Sequence, residues 1–398
     1  MKVEKQFIPK NIEIERLIGS LGSGKNGPCC IFFGGVHGNE PSGVIALEEV
    51  FEQLKKLDIL INGSIYGIGG NLAALKEGKR YTVTDLNRLW TEKRMRAVEE
   101  EQYLAENQDE VELLAIYNLV EEILEKEDGP FYFFDLHTTS SETIPFITVN
   151  DSLLNRKFTE LYPLPLVLGI EEYLDGPMLS YYNEKGYVSF GFEGGEHNSL
   201  DAIENHKAFV YLTLVFSGII EGSEIDSSDY FQHLADQAKG VEHFYEIYHR
   251  FEIEDEGSFK MNFGFENFQK IKKGEQLAVY NSEKVEAEHN SIIFMPLYQS
   301  SGNDGFFLIK QTKTFFLRLS TWIRKLKIDR LLPILPGVYW YDSKKEKMLV
   351  DLRIARFLAK PLLHLMGYRT RQYENDVLII KNRESSSRKS DYKKEKWY

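Results

Sequence analysis

The chain has 398 residues, of which 42% are hydrophobic, 13% aromatic and 27% charged, a composition that excludes a largely disordered protein and predicts two or three folded domains. Its net charge of −13 argues against a general nucleic-acid-binding protein, because the phosphate backbone requires a basic surface. The charge is unevenly spread. Residues 310–398 carry 22 Lys/Arg and 9 Asp/Glu, whereas the preceding residues carry 26 Lys/Arg and 52 Asp/Glu.

Neither a secretory signal nor a membrane-spanning segment is expected. The first residues lack the apolar central run of a signal peptide, and no apolar stretch approaches the roughly 20 residues that cross a bilayer. Cys29 and Cys30 are adjacent, so their side chains point to opposite faces of a strand and should not form a disulfide. We therefore expect a cytoplasmic location.

Residues 1–222 alternate short apolar runs with helical stretches, which is typical of an α/β domain. We expect a mixed sheet with helices on both faces. The predicted strands lie at 28–34, 64–68, 131–136, 145–149, 164–170 and 187–192, and the predicted helices at 42–57, 201–220 and over most of 92–127.

The pattern changes after about residue 222. Helical sequence is predicted to about residue 248, followed by short strands that indicate a small β-barrel or sandwich domain over 223–311. Residues 312–398 are predicted to form a basic helical extension with a polar, disordered tail. The amphipathic, basic segment 314–335 is predicted to pack against the acidic remainder of the chain. Contact with a membrane surface, an acidic partner or RNA is the alternative.

Reactive side chains follow two of the predicted strands. His37 and Glu40 lie in GGVHGNE, directly after the first buried strand, and His137 lies in FYFFDLHTTS at the end of another. Two histidines and one carboxylate are a ligand set of catalytic zinc, which leaves a coordination position open for water. A His-x-x-Glu pattern alone is weak, but a second strand-end site at His137 strengthens the prediction of one zinc ion per chain.

Two other segments carry candidate catalytic or binding groups. Arg80, Asn87 and Arg88 lie in GKRYTVTDLNRLW, where arginine forks suit a carboxylate or an oxyanion, although a solvated loop is an alternative. Glu193 ends an apolar strand in FGFEGGEH, where burial would prepare it for general-base chemistry, although a structural acid is an alternative. His197 is interpreted as a surface or helix histidine.

The motifs GGVHGNE, DLNRLW, FFDLHTTS and FEGGE, in this order, resemble those of the succinylglutamate desuccinylase/aspartoacylase family, whose fold is similar to that of zinc carboxypeptidases. The resemblance covers about residues 31–222 closely and the β-rich unit loosely. It implies that His37, Glu40 and His137 hold zinc, that Arg80 stabilises the oxyanion, and that Glu193 is the general base.

The resemblance further implies that Asn87 and Arg88 bind a substrate carboxylate and that the β-rich domain roofs the site. The predicted activity is hydrolysis of a linear amide in a small N-acyl amino compound. A zinc carboxypeptidase acting on short peptides and an inactive metal-binding scaffold are the alternatives. The sequence specifies neither the acyl group nor the oligomeric state.

One departure from the family bears on the substrate. Members that act on acylated acidic amino acids carry another arginine about ten residues before the general base, where this chain has Tyr181, Tyr182 and Asn183. A carboxylate side chain of the substrate would lose a bidentate partner there. We therefore expect N-acetylaspartate and succinylglutamate to be poor substrates. Tyr181 and Tyr182 are predicted to line the pocket, with core packing as the alternative.

Overall fold

A computed structural model describes residues 9, 11–22, 27–254, 258–326, 328–341, 343, 347–355, 360–374 and 376–398. Its strands are β1 (Leu17–Gly22), β2 (Cys29–Gly34), β3 (Ser64–Gly69), β4 (Phe131–Thr139), β5 (Phe146–Val149), β6 (Leu166–Leu168), β7 (Val188–Glu196), β8 (Phe244–Glu252), β9 (Phe259–Met261), β10 (Lys270–Ile271), β11 (Gln276–Tyr280), β12 (Glu283–Glu286), β13 (Ser291–Phe294), β14 (Asp304–Gln311), β15 (Val338–Trp340), β16 (Lys347–Asp351), β17 (Tyr368–Glu374) and β18 (Val377–Asn382). Its α-helices are α1 (Ser42–Lys56), α2 (Leu72–Glu77), α3 (Glu92–Glu99), α4 (Gln108–Lys126), α5 (Leu153–Thr159), α6 (Met178–Glu184), α7 (Leu200–Phe216), α8 (Ser227–Gln237), α9 (Thr314–Leu326) and α10 (Lys360–Leu365). None of these helices is long and apolar enough to cross a membrane.

Four parallel strands form the centre of a mixed sheet. The sheet runs in the order β1-β3-β2-β4-β7-β5-β6-β8-β14-β13-β10, and β3, β2, β4 and β7 pair in parallel. Every residue of β2 and β3 is buried, as expected for parallel strands covered on both faces. Parallel pairing places the carboxyl ends of β2, β4 and β7 side by side, so their end residues meet at one edge of the sheet.

Alternate residues of β2 enter two separate cores. Cys30 and Phe32 pack with residues of α1 and α7, whereas Ile31 and Phe33 pack with residues of α4. Each fully buried side chain of this size contributes about 1.5–3 kcal/mol of transfer free energy. The two-residue period of the strand thus holds helices against both faces, which confirms the predicted mixed α/β layers.

The helical prediction after residue 222 was wrong at its carboxyl end. Helix α8 ends at Gln237, and the segment that follows forms β8, which lies between β6 and β14. Phe244, Tyr245 and Ile247 are buried there. Aromatic and β-branched residues pack well on a pleated surface, and that tertiary packing overrides the apparent helical period.

The β-rich unit extends the central sheet rather than closing into a barrel of its own. β8, β14, β13 and β10 continue that sheet, and only β12-β11-β9 form a separate small one. The buried residues Met261, Leu277, Ile293 and Phe306 belong to one core cluster that joins the small sheet to the far end of the large one. The walls contributed by this unit are therefore hydrogen-bonded to the strands that carry the predicted site.

The C-terminal extension contains a sheet that its basic, amphipathic sequence did not predict. β15, β16, β18 and β17 form a four-stranded antiparallel sheet beside α9 and α10. The tail predicted to be disordered is ordered as a series of turns. Tyr392 is fully buried within it and packs edge-on against Tyr132 with ring centroids 5.2 Å apart.

The extension docks on the acidic body, the alternative favoured from the sequence. Arg324 of α9 is buried and donates to Asp151 Oδ2 at 2.7 Å. His364 of α10 contacts Glu172 Oε2 at 2.9 Å and Glu246 Oε1 at 3.0 Å. Pairing between the basic extension and these acids compensates the desolvation of buried charges.

Candidate active site

A glycine-dependent loop brings His37 and Glu40 to the end of β2. At Gly34 a Cβ would lie 2.9 Å from the backbone of α1, and at Gly38 it would lie 2.1 Å from the carbonyl carbon of Ala74 in α2. Only glycine permits such close backbone approaches. The HGNE loop therefore folds tightly between the strand and two helices, which directs both side chains to the edge of the sheet.

The two predicted histidine ligands converge on one carboxylate. His37 Nδ1 lies 2.9 Å from Glu40 Oε1, and His137 Nδ1 lies 3.0 Å from Glu40 Oε2. All three side chains are buried, and one potential ligand atom from each lies within 4.8 Å of the others. Burial alone would raise the pKa of Glu40, but the two imidazoles hold it well below its ordinary value. Glu40 is therefore ionised, as a metal ligand must be.

Two further carboxylates face the outer nitrogens of the imidazoles. His37 Nε2 lies 3.2 Å from Asp85 Oδ1, and His137 Nε2 lies 2.6 Å from Asp135 Oδ2. With a metal bound at Nδ1, such contacts would hold the imidazole proton on Nε2. Both the donor set and its supporting carboxylates therefore fit a zinc ion held by His37, Glu40 and His137.

Arg80 shares its carboxylate partners with the histidines. Its Nε and one terminal nitrogen donate to Asp85 Oδ2 at 3.1 and 3.0 Å, and the other terminal nitrogen donates to Glu40 Oε1 at 3.4 Å. Asp85 thus contacts both Arg80 and His37. The guanidinium is therefore held beside the candidate metal ligands His37 and Glu40.

Glu193 stands opposite His137 on the neighbouring strand β7. It is buried, and its Oε2 has no hydrogen-bond partner among the described residues. Burial is the main reason that the pKa of Glu193 is raised to about 8, and the negative charges of Glu40 and Asp135 raise it further. A carboxyl group with a pKa near neutrality suits general acid–base catalysis.

Asn87 and Arg88, predicted to bind a substrate carboxylate, also line the cavity, but Arg88 already forms an ion pair with Asp304. Asn87 Nδ2 lies 3.4 Å from His137 Nε2, and its Oδ1 accepts from the backbone nitrogen of Met178. Arg88 donates to Asp304 Oδ2 at 2.8 Å, and the same carboxylate accepts from Arg250. Asp304 belongs to β14, so the β-rich unit contributes a charged group to the site.

The cavity at this edge has a volume of about 140 Å³. The residues of the predicted constellation that line it are His37, Glu40, Arg80, Asn87, Arg88, His137 and Glu193. Beyond them, its walls carry hydroxyl-bearing and apolar side chains, and the unpredicted residues 295–297 and Gln299 cover it from the β-rich unit. These lining residues include Thr148, Leu179, Ser180, Ser189, Phe307 and Met295.

Tyr181 and Tyr182 do not line this cavity, contrary to the substrate-binding prediction. The ring of Tyr182 is buried and stacks on Phe133 with centroids 4.2 Å apart, and the Tyr181 hydroxyl donates to Glu99 at 2.8 Å. Tyr182 therefore packs in the core, which was the alternative to lining the pocket. The same helix α6 presents Leu179 and Ser180 to the cavity instead, because successive helical residues face different directions.

His197 was interpreted as a surface or helix histidine, but it lines the cavity. Its Nδ1 lies 2.8 Å from Thr138 Oγ1, and its Nε2 lies 3.2 Å from Gln299 Oε1. Gln299 also accepts from Asn39 Nδ2 at 2.8 Å, next to the metal-ligand loop. The adjacent FEGGEH motif was the only sequence signal for His197, and Gln299 had none.

Two histidines, a glutamate, an arginine and a glutamic acid of raised pKa meet in one cavity at the strand ends, a set of groups that suits hydrolytic chemistry. Residues 26–205 match the model of the succinylglutamate desuccinylase/aspartoacylase catalytic domain. This part of the chain is therefore similar to the catalytic domain of a family whose members hydrolyse acyl-amide bonds. A comparison with curated proteins gives no match.

Solved structures of the same family have a similar fold. The succinylglutamate desuccinylase/aspartoacylase of Rhodobacter sphaeroides is 17% identical, with a TM-score of 0.52 over 74% of this chain and 88% of that chain. An aspartoacylase family protein of Mesorhizobium loti is 17% identical, with a TM-score of 0.51 over the same shares. The product-bound ectoine utilization protein of Ruegeria pomeroyi is 18% identical, with a TM-score of 0.50 over 73% and 87%. At these identities the likeness establishes the fold.

Proposed function

We propose that this protein is a zinc-dependent deacylase that hydrolyses the amide bond of a small N-acyl amino compound. The observation that carries this proposal is the convergence of His37 Nδ1 and His137 Nδ1 on Glu40, with Glu193 on the next strand, whose Oε2 has no hydrogen-bond partner among the described residues. The match of residues 26–205 to a deacylase family supports the same activity.

His37, Glu40 and His137 would hold the zinc ion. When bound, zinc supplies a Lewis acid that polarises the scissile carbonyl and makes water acidic enough to deprotonate near neutral pH. Glu193 accepts the water proton at its carboxylate and returns it to the leaving amine nitrogen. Arg80 donates to the carbonyl oxygen as negative charge develops there. Asp85 orients Arg80 and His37 together, since it bonds to both.

The cavity walls favour a substrate that carries little negative charge. Apart from Arg80, Arg88 and the histidines, no cationic side chain of the described residues lines the cavity. The charge of Arg88 is partly neutralised by its ion pair with Asp304. A second substrate carboxylate would lie against hydroxyl and apolar groups such as Ser180 and Leu179, where its desolvation is poorly compensated. We therefore propose neutral acyl-amides, in preference to N-acetylaspartate or succinylglutamate.

A kinetic panel with matched variants tests the function. The zinc-loaded protein should hydrolyse neutral N-acyl amino compounds, and Glu193→Gln should lower kcat by about 10²–10⁴. Glu196→Gln is the control, because Glu196 lies three residues further on and outside the cavity lining. Hydrolysis by Glu193→Gln at the rate of the unmodified protein contradicts the assigned base.

The same panel separates the alternatives. Preferential release of C-terminal residues from short peptides would make the protein a carboxypeptidase. Stoichiometric zinc without turnover of any amide or peptide would make it a metal-binding scaffold.

A further inference from the structure

Helix α9 presents a row of large apolar side chains to solvent. Phe315, Trp322 and Leu326 are 67%, 60% and 51% exposed. They are spaced seven and four residues apart, which places them on one face of an α-helix. The short helix that follows adds exposed Leu331 and Ile334. We call Phe315, Trp322, Leu326, Leu331 and Ile334 the outer patch.

The opposite face of α9 fixes the helix on the protein. Leu317, Ser320 and Arg324 are buried, and the Arg324 guanidinium bonds to Asp151. The helix therefore cannot turn its apolar residues inward without breaking a buried ion pair, which is strongly unfavourable. The outer patch is a permanent feature of the surface. Half of the exposed large apolar side chains of the described residues fall in the stretch from Phe315 to Leu362.

Basic side chains flank the outer patch, and Asp329 is the one acidic residue in its sequence. Arg318 and Lys325 are exposed on α9, and Lys313 is exposed just before it. No Asp or Glu occurs from Lys310 to Ile328. The rest of the chain before residue 310 is strongly acidic. An anionic surface would thus be attracted to this part of the molecule and repelled elsewhere, which orients the protein on it.

The chemistry of the outer patch specifies its partner. A tryptophan and a phenylalanine with flanking Lys and Arg are the residue types that lie at a membrane–water interface, where aromatic rings enter the headgroup region and cations meet lipid phosphates. The patch is a convex helix surface and not a groove that would receive a peptide. We propose that the outer patch binds the surface of an anionic lipid bilayer, with α9 lying parallel to it.

Vesicle co-sedimentation of the 398-residue chain tests this proposal. Binding should be at least tenfold stronger to phosphatidylcholine/phosphatidylglycerol vesicles than to pure phosphatidylcholine, and it should weaken in 0.5 M salt because charge attraction is screened. The triple variant Phe315→Ser/Trp322→Ser/Leu326→Ser should lose binding. Leu60→Ser/Leu104→Ser is the matched control, since these residues are 81% and 84% exposed on the body, and it should bind normally.

Two further measurements locate the lipid contact and test the alternative that the outer patch joins two copies of the chain. Trp322→Phe should still bind, but the blue shift of tryptophan emission on vesicle addition should shrink. Equal sedimentation of the triple variant and the unmodified protein overturns the proposal. So does an absence of vesicle binding together with a dimer that the triple variant dissociates in light scattering, because the patch would then join two copies of the chain.

Discussion

Asp304 of β14 accepts a hydrogen bond at 2.8 Å from Arg88, which lies between α2 and α3. The same carboxylate is held by Arg250 from the adjacent strand β8. Arg88 therefore enters the cavity with part of its charge already neutralised. A substrate carboxylate at this position would compete with Asp304 for Arg88. Changing Asp304 therefore tests whether this contact disfavours acidic substrates.

Replacing Asp304 by Asn should shift this preference toward acidic substrates. The change removes a charge-assisted hydrogen bond and leaves Arg88 free to pair with a carboxylate on the amine half of the substrate. We expect the ratio of kcat/KM for carboxylate-bearing over neutral substrates to rise on the order of tenfold. Glu252→Gln is the control, because Glu252 also contacts Arg250 but is largely exposed. An unchanged ratio would show that Asp304 has no part in specificity.

Replacing Glu40 by Gln should abolish tight metal binding. The neutral amide offers no charge to a divalent ion and leaves two buried imidazoles without their shared partner. Zinc content, measured by mass spectrometry of the desalted protein, should fall from one ion per chain to less than about one tenth. His197→Gln should keep its zinc, since His197 lines the same cavity outside the ligand cluster. Retention of stoichiometric zinc by Glu40→Gln would place the metal elsewhere.

The pH dependence of stability should report the docking of the C-terminal extension through His364. Burial alone would lower its pKa, but hydrogen bonds to Glu172 and Glu246 raise the pKa of His364 to about 9. The folded protein therefore binds this proton more tightly than the unfolded chain, whose histidine pKa is about 6.5. The stabilisation is complete below about pH 6.5 and disappears as the pH rises through 9, with an upper limit of about 3 kcal/mol.

Urea denaturation of His364→Gln checks this expectation. The difference in the free energy of unfolding between the unmodified protein and His364→Gln should shrink between pH 6 and pH 9.5. His289→Gln, at an exposed position, should show no such trend. A pH-independent difference for His364→Gln would mean that the histidine is not charged in the folded state.

Replacing Tyr392 by Ala should destabilise the protein as a core substitution does. Its ring is fully buried, and its hydroxyl accepts from Val188 at 3.0 Å and donates to the Phe131 carbonyl. We expect a loss of about 3–5 kcal/mol in the free energy of unfolding, measured with urea. Tyr398→Ala, six residues further on and exposed, should cost less than about 1 kcal/mol. Equal small effects would mean that the tail does not pack as described.

Sequence alone predicts that His37, Glu40 and His137 lie together, because their arrangement is set locally. His37 and Glu40 share one tight loop, and parallel pairing of β2 with β4 brings His137 beside them. Asp304 and Gln299 reach the site only because the β-rich unit continues the same sheet, a long-range pairing that residue patterns do not encode. Tyr392 was missed for another reason. One aromatic residue in a polar segment scarcely alters its composition, yet it fills a specific gap in the core.

The unbroken sheet from β4 to β14 also limits how the cavity can open. Separate domains joined by a linker can swing apart around a ligand, but strands that share a hydrogen-bond ladder cannot move relative to one another without breaking it. The wall that carries Asp304 is therefore fixed relative to His137. Any molecule that enters the cavity must therefore pass between side chains and the short segment around Met295–Gly302, and its size is limited by walls that do not move apart.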